Sequence, residues 1–316
     1  MEIKKVVCVG AGVIGYSWAT LFSTRGLEVI LQDLSRDILE KAMEHAKSNL
    51  NFLEKNSLLE KGGAEAALKK IKTTVNLAKA VGQADYVQEN VPDNINLKKR
   101  VFKEMDTFAG RQTVLASSSS GLLMTEIQKA TRRPERCVLV HPMLPPHLLP
   151  LVEIVGGEKT SRETIKTTRD FMIKIGKAPI ILNKEVPGYI VNRLNAALWR
   201  EAVSLVANGV ASAEEVDRAF CMGIGLRNPI FGPFLRAHVA GRGIELFLEK
   251  YDQSYSNRWK TMETWTSTPD SVAKMVIKSV NKMKVVRTRT LEKIERLRDE
   301  KLVEILRLIL PKHPFY

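Results

Sequence analysis

Cysteine is scarce in this chain: Cys8, Cys137 and Cys221 are the only three in 316 residues, and they lie far apart. That scarcity excludes a disulfide framework and the paired spacings of a structural zinc site, so no metal is expected. A reducing, cytoplasmic compartment fits best. Cys8 and Cys137 fall inside apolar, strand-like runs, where a thiol acts as a small hydrophobe. Long hydrophobic runs are missing too. Nothing approaches the roughly 18 continuous apolar residues of a membrane helix, and no membrane partner is expected. The first strand pattern begins at residue 3, which leaves no signal peptide ahead of it. Internal repeats and low-complexity segments are absent. Acidic residues are outnumbered, 35 Asp and Glu against 49 Lys and Arg, for a formal net charge of +14. Such an excess admits a nucleic-acid partner. The basic residues, however, are spread along the chain and no aromatic-and-basic motif accompanies them. The densest stretch, Lys274 to Arg298, is interleaved with Met275, Val276, Ile277, Leu291 and Ile294 at helical spacing. A solvated helix face is therefore expected, and no nucleic acid. A weak attraction for anionic substrates, coenzyme A phosphates included, stays open.

What the sequence does hold begins with a glycine turn. The apolar run Val6 to Val9 meets Gly10-Ala11-Gly12-Val13-Ile14-Gly15, a helical stretch runs from Ile14 to about Arg25, and a second apolar strand, Leu27 to Leu31, leads to Asp33. Gly10 allows the tight turn, Gly12 lets backbone N–H groups approach a pyrophosphate, and Gly15 lets helix and strand pack closely. A pyrophosphate would sit on the helix N-terminus, where free N–H groups and the helix dipole favour anions. Asp33 follows Gly15 by 18 residues. There its carboxylate accepts hydrogen bonds from an adenosine ribose and repels a 2′-phosphate, so the cofactor expected is NAD rather than NADP.

The rest of the chain reads as α/β and then all-α. Ser35 caps a helix running to about Phe52. The Lys- and Glu-rich segment 53–72, broken at Gly62-Gly63, reads as an inserted helical hairpin that could project over the active site. Short strands follow at Thr73-Thr74-Val75, at Tyr86-Val87-Gln88, at Val114-Leu115-Ala116 before four serines, and at Cys137 to Val140. Asp93 and Lys98 open a helix at the carboxyl edge of the sheet, where ligands gather in open α/β folds. A strand from Pro150 to Val155 and a further βαβ unit close the first domain, residues 1–186. Pro187-Gly188 marks the boundary, and the second domain, 187–316, is helical throughout, to Lys312. The fold class expected is a Rossmann-type, doubly wound, mostly parallel sheet followed by an all-α C-terminal domain.

Of five histidines, His141 stands out, because it closes an apolar strand and Glu153 follows twelve residues later on the return strand. A strand, a turn and a return strand place the two side chains next to each other as a general base and its orienting carboxylate. Ser120 ends the neighbouring strand with a free hydroxyl, and Asn192 sits on the first turn of the boundary helix, within reach of the same cleft. The set suits alcohol oxidation, with His141 removing the hydroxyl proton while carbon delivers hydride to a nicotinamide. His45, His147, His238 and His313 read as structural or surface residues.

These pieces, with Asn90-Val91-Pro92-Asp93, Pro145-Pro146, Pro187-Gly188-Tyr189-Ile190-Val191-Asn192-Arg193-Leu194 and Gly232-Pro233, resemble the 3-hydroxyacyl-CoA dehydrogenase family, and within it the lambda-crystallin and L-gulonate 3-dehydrogenase branch. The resemblance implies a nucleotide-binding domain followed by a helical dimerisation domain, and hence a homodimer. It implies His141 as base, Glu153 as its partner, Ser120 and Asn192 as positioning groups, Asp33 on the adenosine ribose, and Asp93 and Lys98 at the nicotinamide side. Leu144 departs from the pattern, standing where the family usually has asparagine. Arg227, in Gly225-Leu226-Arg227-Asn228-Pro229, matches an arginine of the gulonate-like branch and would clamp a free carboxylate. The Lys-rich segment 53–72 points instead to coenzyme A. A 3-hydroxyacyl-CoA thioester and a free 3-hydroxy acid, gulonate-like or carnitine-like, both remain open as substrate. A non-catalytic, crystallin-like or NAD-sensing role is the alternative of another class. The complete Ser120, His141, Glu153 and Asn192 set argues against it.

Overall fold

The structure is a computed structural model that describes residues 2–309. Lys312 and His313 lie outside the described residues. By contacts the chain divides into Met1–Arg193 and Leu194–Tyr316.

The first unit is built on eight strands: β1 (Lys5–Val9), β2 (Glu28–Gln32), β3 (Ile71–Thr74), β4 (Tyr86–Glu89), β5 (Val114–Ser117), β6 (Cys137–Pro142), β7 (Leu151–Gly156) and β8 (Ala178–Ile181). They form one sheet in the order β3-β2-β1-β4-β5-β6-β7-β8. All neighbours are parallel except β6 and β7. Val6, Val7, Cys8 and Val9 of β1 are all buried. A strand apolar on both faces needs helices on both sides, and it has them. On one face Val6, Cys8 and Leu31 join Trp18 and Phe22 of α1 (Val13–Thr24), Leu39 and Ala42 of α2 (Arg36–Lys55), and Phe171 further along the chain. On the other, Val7, Val9 and Leu115 meet Val81, Phe102, Met105, Met124 and Tyr189. The order in which strands are added reverses at β1, since β2 lies on one side of it and β4 on the other. Such a switch point opens a crevice at the carboxyl ends of the strands.

The segment 53–72 forms a helical hairpin with the end of the preceding helix, and departs from the expectation only at its last residues. α2 continues to Lys55, a short α3 (Gly63–Leu68) packs back on it through Leu50, Ala64 and Ala67, and Ile71 and Lys72 already belong to β3. The Glu54 carboxylate accepts from the Ala64 N–H at 2.9 Å and so satisfies the start of α3.

The remaining helices of the first unit are α4 (Leu77–Val81), α5 (Ile95–Phe108), α6 (Met124–Gln128) and α7 (Arg162–Lys174), while α8 (Val191–Ala207) begins there and crosses the division. The second unit is helical: α9 (Ala213–Ala219), a π-helical turn Phe220–Gly225, α10 (Pro233–Gly241), α11 (Ile244–Trp259), α12 (Asp270–Val280), α13 (Lys284–Thr288) and α14 (Leu291–Ile309). No helix among the described residues is long and apolar enough to cross a membrane. No His, Cys, Asp and Glu cluster among them suits a metal ion.

One buried cation of the first unit has carbonyls rather than a carboxylate for partners. The Lys177 ammonium donates to the Pro146 and Leu149 carbonyls, the latter at 2.6 Å, and lies 5.1 Å from the Trp18 ring centre. Burial, helped by the like charge of Arg25, pulls its pKa from the usual 10.5 to about 7. Between those values the unfolded chain holds a proton that the folded chain has released. Stability from this group is therefore lowest below pH 7 and rises with pH across the window, by at most about 1.4 kcal/mol per pH unit. Urea titrations from pH 7 to 10 are expected to show wild type gaining roughly 2–4 kcal/mol relative to Lys177→Met. Parallel pH dependences would contradict a lowered Lys177 pKa.

Candidate active site

A cavity of about 290 Å³ opens at the carboxyl edge of the sheet, with Ile14, Asn90, Asp93, Ser120, His141 and Leu144 among its lining residues. Ile14 comes from the first turn of α1, and the others from the end of a strand or the loop just after it, as the switch-point geometry requires.

The antiparallel register of β6 and β7 sets His141 directly opposite Glu153, and His141 Nδ1 lies 2.7 Å from Glu153 Oε2. Glu153 is fully buried, and its other oxygen, Oε1, accepts from the backbone N–H groups of Ile190 at 2.9 Å and Val191 at 3.0 Å. Those are the free N–H groups at the start of α8, where a negative charge is favoured. Burial alone would raise the Glu153 pKa, but the contact with His141 and the two N–H groups outweigh it and hold the carboxyl below its usual range. An ionised Glu153 is an acceptor only, so Nδ1 carries the imidazole proton and Nε2 keeps its lone pair. The Tyr189 ring walls the imidazole on one side, with centroids 5.2 Å apart. Tyr189 is itself fully buried, and its hydroxyl donates to the Leu122 carbonyl at 2.6 Å.

Ser120 and Asn192 are brought together: Asn192 Nδ2 donates to the Ser120 carbonyl at 3.1 Å. The Ser120 hydroxyl donates to Asp93 Oδ2 at 2.8 Å. Lys98 lines the cavity, but its ammonium faces partners within the chain, Glu89 Oε1 at 2.7 Å and the Val91 carbonyl at 2.8 Å. Glu89 was not among the residues singled out from the sequence. A polar run at the end of a buried strand, Gln88-Glu89-Asn90, is the signal that marks it. Tyr189 was likewise passed over; its place is set by a left-handed backbone (φ 50) just after Gly188.

The glycine turn fits a dinucleotide. Gly10 has φ 90, and a Cβ there would press on the Asn90 backbone at 2.9 Å. A Cβ on Gly15 would fall 1.8 Å from the Gly10 carbonyl oxygen, whereas one on Gly12 would meet nothing within 4 Å. The turn is thus closed on its protein side and open at Gly12. The N-terminus of α1, with Val13 and Ile14 in its first turn, has no side-chain cap, which leaves its N–H groups for an anion. Asp33 stands just past β2 beside this turn, with Oδ2 accepting from the Ala11 N–H at 2.6 Å.

Arg227 belongs to the second unit. There it lines a cavity of about 750 Å³ with Arg236, Phe247, Asp252, Tyr255 and Trp259. Leu144 lies at the rim of the first-unit cavity and is 57% exposed, an apolar surface where the family pattern has an amide.

Two sequence profiles match the chain: 3-hydroxyacyl-CoA dehydrogenase, NAD binding domain, over residues 5–186, and 3-hydroxyacyl-CoA dehydrogenase, C-terminal domain, over residues 188–283. An L-carnitine dehydrogenase of Bacillus cereus is 38% identical over 98% of this chain and 93% of its own. One from Oceanobacillus iheyensis is 36% identical over 97% and 98%. Among solved structures, a 5-formyl-3-hydroxy-2-methylpyridine 4-carboxylic acid 5-dehydrogenase, described as an NAD+-dependent dismutase, superposes with a TM-score of 0.81 at 29% identity over 97% of both chains. A (S)-3-hydroxybutyryl-CoA dehydrogenase from Ralstonia eutropha gives a TM-score of 0.67 at 29% identity, over 81% of this chain and 88% of that one. With a doubly wound sheet, a nucleotide turn and both profiles matched in order, the chain belongs to the 3-hydroxyacyl-CoA dehydrogenase family and is an NAD-dependent oxidoreductase of the CH–OH group.

Proposed function

We propose that this dehydrogenase oxidises the 3-hydroxyl of a free, carnitine-like L-3-hydroxy acid to the 3-oxo acid. The observation that carries the chemistry is the His141–Glu153 pair at 2.7 Å, in a cavity that also takes in Ile14 of the glycine turn. His141 Nε2 takes the proton of the C3 hydroxyl, and Glu153 stabilises the imidazolium that results. Ser120 and Asn192 hold the reacting carbon in place. Gly10, Gly12, Val13, Ile14 and Gly15 cradle the pyrophosphate, Asp33 takes the adenosine ribose, and Asp93 and Lys98 stand at the nicotinamide side. NAD, when bound there, would supply the acceptor for the hydride that leaves C3.

Two findings favour the free acid over the coenzyme A thioester. The relatives matched along nearly their whole length bear the name L-carnitine dehydrogenase. The structure that superposes at 0.81 belongs to an enzyme named for a free carboxylic acid. NADH formation from L-carnitine, L-gulonate, 3-hydroxybutyrate and 3-hydroxybutyryl-CoA tests the proposal. The highest kcat/KM is expected on L-carnitine, and a preference for the thioester would overturn it. Arg227 is the carboxylate clamp in this reading. Arg227→Leu is expected to raise KM for the free acids about 10- to 100-fold, the worth of a charge-assisted pair, and to leave the thioester unaffected. Equal effects on both would leave Arg227 without a role in recognising the free acid.

The helical unit exposes Met222, Leu226, Phe234 and Trp259, each more than 60% accessible. Apolar surface of that kind marks an association face. The chain is proposed to be a homodimer through this unit, in the cytoplasm, where its unpaired cysteines stay reduced. Light scattering is expected to give about twice the 35.5 kDa chain mass, and a monomer would refute the pairing.

A further inference from the structure

The Ser120 hydroxyl is tied down. Its O–H donates to Asp93 Oδ2 at 2.8 Å, and its backbone N–H reaches the same oxygen at 3.0 Å. Asp93 Oδ1 lies 3.5 Å from Lys98 Nζ. Lys98 is 1% exposed, and its three ammonium protons face three acceptors of this chain: Glu89 Oε1, the Val91 carbonyl and Asp93. Glu89, wholly buried at the end of β4, also accepts from the Val91 N–H at 2.7 Å and, through Oε2, from the Ser117 hydroxyl at 2.6 Å. A continuous path therefore runs from the core to the cavity wall: Glu89, Lys98, Asp93, Ser120. It ties the end of β4 to α5 and to the serine loop after β5.

The charges support that direction. Burial works against an ionised Asp93, but hydrogen bonds from Ser120 and Ser119, with the Lys98 charge, outweigh it and leave its pKa below the usual carboxylate range. At neutral pH Asp93 is an acceptor only, so the Ser120 hydroxyl hydrogen is committed to it and the side chain is held in one rotamer. A buried, fully partnered lysine is a rigid post. An exposed Asp–Ser pair without it would be mobile.

We propose that Asp93 is a positioning residue that acts through Ser120, fixing the hydroxyl at the cavity wall with Lys98 and Glu89 as its buried anchor. The inference rests on the role given to Ser120 under the proposed function. A double-mutant cycle tests it, with kcat on L-carnitine and NAD dissociation constants by fluorescence titration for Asp93→Ala, Ser120→Ala and the pair. Asp93→Ala is expected to lower kcat by about tenfold or more, as loss of orientation does. The double variant should be no slower than Ser120→Ala alone, because the two residues act as one unit. NAD affinity should stay within about twofold in Ser120→Ala. Asp93→Asn, whose amide oxygen can still accept from Ser120, should recover most of the lost turnover. Additive losses would overturn the inference, and so would an Asp93→Ala effect confined to NAD affinity. Wild-type turnover in Ser120→Ala would sink the inference together with the role of Ser120, whereas additivity alone leaves that role standing.

Discussion

His141→Asn is expected to lower kcat by about 10²- to 10⁴-fold, the usual contribution of a positioned general base, while NAD binds as in wild type. Asparagine approximates the size of the imidazole and keeps a polar group near Glu153, so the fold should persist. It has no nitrogen lone pair that titrates in water and cannot take the hydroxyl proton. The cofactor half of the prediction follows from place. His141 sits on β6, whereas the glycine turn and Asp33 lie at the ends of β1 and β2, across β4 and β5 in the sheet. Steady-state turnover with a parallel NAD titration checks both halves. A variant with wild-type turnover would remove His141 as the base.

Glu153→Gln should be nearly as damaging, for a reason that the hydrogen bonds dictate. Oε1 of Glu153 accepts from two backbone N–H groups, those of Ile190 and Val191. A glutamine must turn its carbonyl oxygen to them, and its NH2 then points at His141 Nδ1. That nitrogen becomes an acceptor, the ring proton moves to Nε2, and the base is lost to the wrong tautomer. In Ser-His-Asp enzymes the corresponding amide substitution lowers kcat by about 10⁴-fold, and a loss of about 10³-fold or more is expected here. Glu153→Asp should be milder, because a shorter carboxylate still fixes the tautomer. If Glu153→Gln turned over at the wild-type rate, Glu153 would be no more than packing beneath a histidine.

The dyad was legible in the sequence because two period-two strands joined by a proline turn have few registers, and the one formed pairs 141 with 153. The glycine turn was legible for a similar reason: each glycine answers a local steric demand, seen in the 1.8 Å approach that a Cβ on Gly15 would make. The Lys98–Glu89 pair was not, because strand and helix bring those side chains together only after they pack. A buried lysine also looks like any other in sequence, and Lys177 escaped notice for that reason. The segment 53–72 was legible as a helical hairpin except at its end. Lys69, Lys70 and Lys72 suit a solvated helix, but Lys72 lies on β3, the outer strand of the sheet, where charged side chains are common. Arg227 could be named from its neighbours in sequence, and its partner in function follows from chemistry rather than from spacing.

The central claim is that one cavity brings an imidazole–carboxylate couple and a nicotinamide to the same secondary alcohol. The most direct test follows the hydrogen on that carbon: wild-type enzyme is given NAD and L-carnitine deuterated at C3, and the NADH formed is weighed by mass spectrometry. One deuterium per NADH is the result predicted. NADH without deuterium, or none formed from any 3-hydroxy acid, would contradict the account.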